Sequence, residues 1–147
     1  MYGGALNRLA FLALVFVACG DGTPDRNPGG SSIPNPVPVR HTLAQSQSIT
    51  IAAGSTYGFA FSVPSPATLS FSASQTTTDV WDVAVFTTSQ WAAYLNGTGT
   101  SAYGGSHKNV MQASDSLSIP SGGYYLGFSC RNLFQRCMLV FSADATY

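Results

Sequence analysis

Six carboxylates, two histidines and three cysteines are the reactive side chains this 147-residue sequence offers, and every carboxylate is an aspartate. Ser106, His107 and Asp115 supply the group types of a relay in which a hydroxyl passes its proton to an imidazole oriented by a carboxylate. Closeness in sequence does not create that geometry, since successive residues of a strand point to opposite sides. A solvated loop histidine is the simpler expectation for His107, and His41 falls at a junction between segments. Asp79 and Asp82 are the nearest pair of acids for glycoside chemistry, but three residues apart on a strand they face opposite ways. The same two, with loop carbonyls, are the candidates for a calcium site, because hard cations take oxygen ligands. No acidic run accompanies them. No catalytic residue and no cofactor are assigned, and a noncatalytic protein is expected.

Aromatic residues, 12% of the chain, remain as recognition groups. Phe59, Phe61, Phe71, Phe128 and Phe141 fall on inward faces by strand parity. Trp91, Tyr94, Tyr103 and Tyr125 are left as candidate binding residues, either a stacking platform for sugars or the anchors of a protein interface. The competing expectation for Trp91 is that it pins its own element to the domain.

These side chains need a scaffold, and the pattern specifies one. Charged residues are only 8% of the chain, with formal net charge zero, so no electrostatic footprint for nucleic acid or for anionic lipid is expected. Ser, Thr and Gly take the positions that charge would fill, which suits strands and turns better than helices. Period-two alternation runs through Ser48–Ala52, Thr56–Val63, Thr68–Ser74 and Ser114–Ile119; Val80–Phe86 is more continuously apolar, as in a central strand. Tyr124–Cys130 and Cys137–Ser142 complete the clear strands. Short strands separated by Gly and Pro turns predict a single antiparallel β-sandwich, jelly-roll-like, of seven or eight strands. One segment breaks the period. Trp91, Tyr94 and Leu95 share a helical face between hydroxyl caps and Asn96-Gly97, which predicts a short edge helix over Ser89–Leu95. Thr98–Lys108 then reads as a mobile loop leading to a strand Asn109–Ala113.

The cysteines divide by position. By parity Cys130 shares a face with Tyr124, Leu126 and Phe128, and Cys137 with Leu139 and Phe141. Both thiols therefore point inward, and a hairpin with a cross-strand disulfide is expected across the loop Arg131–Arg136; two buried free thiols are the alternative. At the N-terminus, one charge (Arg8) precedes the apolar run Leu9–Val17, too short to span a bilayer and right for an export signal over residues 1–18. It ends Phe16-Val17-Ala18-Cys19-Gly20, which resembles the bacterial lipobox, with Phe16 where Leu is usual. The resemblance implies cleavage before Cys19, acylation of its thiol, and attachment to the membrane through that lipid. Gly20, in place of an acidic retention signal, implies an outer-membrane protein. An ordinary secretory signal cut after Ala18 is the alternative. Lipidation of Cys19 leaves Cys130 and Cys137 as an even pair for an oxidising compartment. The Pro/Gly-rich stretch up to residue 40 reads as a semi-extended tether, and residues 41–147 as the domain.

Three motifs in that domain, Ile51-Ala52-Ala53-Gly54-Ser55, Asp82-Val83-Ala84-Val85-Phe86 and Pro120–Phe128 with its Gly-Tyr-Tyr-Leu core, resemble bacterial pre-peptidase C-terminal domains and, more loosely, Golgi-dynamics sandwiches. The likeness covers about residues 43–143. It implies a noncatalytic appendage, in families that sometimes bind calcium at strand-edge loops. The expected function is a surface-displayed protein- or glycan-binding or assembly module; the alternative is a structural envelope lipoprotein without a ligand.

Overall fold

Strand Ala67–Gln75 shows how this composition builds a sheet. Ala67, Leu69, Phe71 and Ala73 are buried, and Thr68, Ser70, Ser72 and Ser74 between them are exposed. Apolar side chains leave water on one face while short hydroxyls keep the other face wet. The computed structural model describes residues 36–147; the expected export signal 1–18, the expected lipidation site Cys19 and the part of the expected tether up to residue 35 lie outside the described residues. Eight strands and one helix follow in order: β1 Arg40–Ile51, β2 Thr56–Val63, β3 Ala67–Gln75, β4 Trp81–Thr87, α1 Thr88–Leu95, β5 Gly104–Val110, β6 Gln112–Ile119, β7 Gly122–Cys130 and β8 Cys137–Thr146.

The strands form two four-stranded sheets, β1-β8-β3-β6 and β2-β7-β4-β5, and every pairing is antiparallel. That order is a jelly roll, as the alternation predicts. Inward residues of both sheets interdigitate. Phe128 meets Phe141 at 5.1 Å between ring centroids, Trp81 packs edge-on to Phe128 at 5.7 Å, and Phe59 meets Phe141 at 5.2 Å. Phe71, Phe128 and Phe141 are buried as expected; Phe59 and Phe61 are half-buried on the edge strand β2, packed against the core. β4 is apolar on both faces because one face meets the core and α1 covers the other, so Ala84 and Phe86 are buried along with Val83 and Val85.

Three sequence expectations are corrected. The Cys130–Cys137 disulfide forms, with its Cα atoms 5.6 Å apart, but β7 and β8 are not a hairpin. They belong to different sheets, so the bond ties the two sheets together. Parity placed both thiols inward, and inward is the same direction whether strands pair side by side or face each other. Thr98–Lys108 is not wholly a loop, because β5 starts at Gly104. Its register with β4 slips twice, three β5 residues being set against two on β4 (Trp81↔Val110, Val83↔His107, Val85↔Gly104). Those bulges erase the alternation that would mark a strand. Asn109–Ala113, expected as a strand, instead contains the turn at Met111 between β5 and β6.

Candidate functional site

Helix α1 begins where β4 ends. Thr87 caps it: the Thr87 hydroxyl accepts from the Gln90 N–H at 3.3 Å, and the Gln90 side chain accepts from the Thr87 N–H at 2.9 Å. This reciprocal box satisfies two amides that the first turn would leave unpaired. At the other end Gly97 adopts φ +67°, and the Thr98 N–H closes on the Ala93 carbonyl at 3.1 Å. The chain thus turns back across the outer face of β2-β7-β4-β5, and the Tyr103 N–H bonds the Val85 carbonyl at 2.7 Å.

Trp91 holds the helix down. Its side chain is 7% exposed and packs with Ala84, Phe86, Ala102 and Tyr125. The indole lies against Gly58 and Gly127, which face each other across the β2–β7 pair. A Cβ on Gly58 would fall 2.4 Å from Trp91 Cζ2, and one on Gly127 2.5 Å from Trp91 Cζ3. Two strand glycines therefore make a notch as wide as an aromatic ring. The Tyr125 ring stacks on the indole at 5.3 Å, and Tyr94 lies at 5.7 Å.

Beneath α1 and residues 100–102 this arrangement leaves a cleft of about 370 Å³. Phe86, Trp91 and Tyr94 line its aromatic wall, and Ala84 and Gly127 its floor. Its other end is polar: Thr56, Ser106 and Ser129 hydroxyls, Lys108, and the ion pair Asp82–Arg131. Asp82 is held twice, since its Oδ1 also accepts from the Asn109 N–H at 2.9 Å. The hydrogen bond and charge of Asp82 raise the Arg131 pKa further above its ordinary value, so the cation persists at any physiological pH. The volume is at the small end of the range for small-molecule sites.

The structure brings together part of the expected binding set. Trp91 and Tyr94 line the cleft, and Tyr125 backs the indole outside it. Tyr103 does not join them. Its ring meets Tyr124 edge-on at 5.7 Å, and its hydroxyl approaches the Ser118 carbonyl at 3.4 Å. Ser106, His107 and Asp115 are likewise divided. His107 Nε2 lies 3.3 Å from Asp115 Oδ2, joining β5 to β6 across the sandwich edge, while Ser106 lines the cleft and His107 a separate hollow. A strand sends adjacent side chains opposite ways, so no relay from hydroxyl to imidazole is assembled. His41 stacks on Tyr147 at 4.2 Å. Asp79 accepts from Asn132 Nδ2 at 2.7 Å, and Asp82 is committed to Arg131, so the two carboxylates serve different partners. Among the described residues no group of three His, Cys, Asp or Glu is placed to hold a metal ion, and no helix is long and apolar enough to cross a membrane. Gly58, Gly127, Lys108 and the Asp82–Arg131 pair escaped the sequence reading. A lone glycine inside an alternating strand signals close approach of another group, and Gly58 and Gly127 both carry that signal.

The fold and cleft define a class, an eight-stranded jelly-roll domain with a helix-roofed cleft on one outer face. No protein-family model matches the chain, and no curated protein matches it. Among solved structures it is similar to the pre-peptidase C-terminal domain of a collagenase from Bacillus anthracis. That match has 13% identity and a TM-score of 0.47, and covers 67% of this chain and 88% of the other.

Proposed function

We propose that this domain is a noncatalytic binding module of the cell envelope that takes the end of a glycan in the cleft beneath α1. An acylated Cys19 and the segment to residue 40 hold it at the outer membrane. The composition of the cleft carries this reading. A sugar ring offers an apolar C–H face and a rim of hydroxyls; the cleft offers an aromatic wall at Phe86, Trp91 and Tyr94 facing charged and hydroxylic groups at Asp82, Arg131, Lys108 and Ser106. Charged hydrogen-bonding groups fixed by an existing ion pair bind a hydroxyl without first being ordered. The separation of Ser106 from His107 supports a role without catalysis.

The test is binding of the purified protein to an array of bacterial-envelope and host glycans. A defined subset should bind, and Tyr94→Ala and Asp82→Asn should each weaken that binding about tenfold, the loss of one aromatic contact or one charged hydrogen bond. Binding by both variants equal to that of the parent would refute the cleft as the site. A silent array, with capture of a protein that Tyr94→Ala abolishes, would replace glycan by protein as the ligand class.

A further inference from the structure

Five of the ten large apolar side chains exposed among the described residues lie at one end of the sandwich. Phe134 is 93% exposed and Leu133 73%, and both sit in the loop Arg131–Arg136 between β7 and β8. Val80, Met111 and Met138 are exposed at the same end: Arg131 N–H bonds the Val80 carbonyl, Gln75 N–H the Met111 carbonyl, and Thr76 N–H the Met138 carbonyl. A loop free to collapse would fold its Phe and Leu onto such neighbours. This one is framed against collapse. The Cys130–Cys137 disulfide closes its base. Asn132 shapes its tip, its Oδ1 accepting from the Phe134 and Gln135 N–H groups at 2.8 and 2.9 Å while its Nδ2 is held by Asp79.

Charges that cancel over the whole chain are gathered at this end, the carboxylates of Asp79 and Asp82 beside the cations. Of the four Lys and Arg in residues 36–147, Lys108, Arg131 and Arg136 lie at this end, and Arg40 at the other. Arg131 is tied to Asp82, whereas Lys108 and Arg136 are exposed and make no ion pair among the described residues.

We infer that the loop Arg131–Arg136 is a membrane-insertion element: Leu133 and Phe134 enter the acyl region of a bilayer, and Arg136 beside them meets its anionic headgroups. The inference is independent of what the cleft binds. A convex peg with two adjacent apolar residues buries far less than the roughly 1,200 Å² of a stable protein interface. A bilayer needs no preformed socket for it, and the Arg136 cation beside the apolar tip, in no ion pair among the described residues, complements anionic lipid, worth about a fivefold gain in binding. Arg40 pairs with Thr146, while Ile51 at the far end of β1 pairs with Cys137, so the loop lies at the end of the sandwich remote from Arg40.

The experiment places a reporter in the loop. Full-length protein carrying Phe134→Trp is combined with vesicles of phosphatidylethanolamine and phosphatidylglycerol whose acyl chains are brominated, and the unsubstituted protein supplies the background of the buried Trp81 and Trp91. Whatever else brings the chain to the vesicle, only insertion of the loop brings residue 134 into contact with bromine. Expected are strong quenching of the added tryptophan, protection from aqueous iodide, and about a fivefold higher lipid concentration for half-quenching when Arg136→Ala is added. A residue 134 that stays open to iodide and unquenched at saturating lipid overturns the proposal. So does a residue shielded in native envelopes but not on protein-free vesicles, which would identify a protein socket instead.

Discussion

Alanine at position 58 tests how α1 is held to the sheet. Gly58 has no positive φ, so the strand backbone accepts any side chain there, and the indole alone demands glycine. A new Cβ would sit 2.4 Å from Trp91 Cζ2, 2.7 Å from Cε2 and 3.1 Å from Tyr125 Cδ1. The ring cannot yield toward the sheet, so Gly58→Ala must lift it, at the roughly 1–3 kcal/mol typical of overpacking. Trp91→Ala alone should cost about 3 kcal/mol, the lower end for a buried tryptophan, because its cluster lies on an outer face with solvent beyond. With the indole gone, only the half-buried Tyr125 ring is near, at 3.1 Å, and once it shifts by a few tenths of an ångström alanine at 58 should stabilise by about 0.5–1 kcal/mol through its better strand entropy. The sign of Gly58→Ala therefore reverses between backgrounds, a coupling of about 1.5–4 kcal/mol. Urea unfolding of the four proteins of the cycle, followed by circular dichroism, measures it directly. An equal cost of Gly58→Ala with and without Trp91 would refute the notch as the reason for the glycine.

Reduction of the disulfide should lower stability by about 2.5 kcal/mol, from the chain entropy of a loop of about eight residues; thermal unfolding with and without reductant, after nonreducing mass analysis, checks this. Asp144 gives the acid response: its carboxyl pKa lies below the ordinary 3.8, first through the hydrogen bond from Arg40, against some burial and with help from Thr42. A depressed folded pKa means the stabilisation is complete above the unfolded value and lost as pH falls through the folded one. Asp144→Asn should therefore be less stable than the parent at pH 6 and lose less on acidification to pH 2, read from urea midpoints across that range. Metabolic labelling with a palmitate analogue should mark the protein, and Cys19→Ser should abolish the label and leave at most a weak membrane association that washing at high salt removes.

Strand faces are legible from single residues because burial has the period of the pleat: the alternation in Thr68–Ser74 is enough to name the buried side of β3. Parity also places both disulfide thiols inward. What parity lacks is the identity of the neighbour, so β7 and β8 read as a hairpin while belonging to opposite sheets. β5 is hidden for another reason. Its bulges carry Gly105 at φ +56° and Asn109 at φ +53°, and its residues Gly-Gly-Ser-His-Lys-Asn-Val offer no apolar alternation to detect. Of the site, Trp91 and Tyr94 follow from helical spacing. The polar half does not, because Asp82 on β4, Lys108 on β5 and Arg131 after β7 converge only through pairings remote in sequence.

Few charges guard this surface, so its protection against sheet-to-sheet aggregation must come from backbone shape. Three of the four edge strands have a device. β1 is broken by register shifts between Thr42 and Gln47, with Ser46 at φ +46° donating its N–H to Ser142 Oγ. β5 carries two bulges and Lys108. β6 turns the carboxylate of Asp115 toward His107. β2 has none: Thr56–Val63 pairs β7 over eight uninterrupted residues without a charge. An additional strand, from another copy or from an unfolding neighbour, has one straight edge on which to grow, and a lysine at an outward position of β2 is the substitution that would close it.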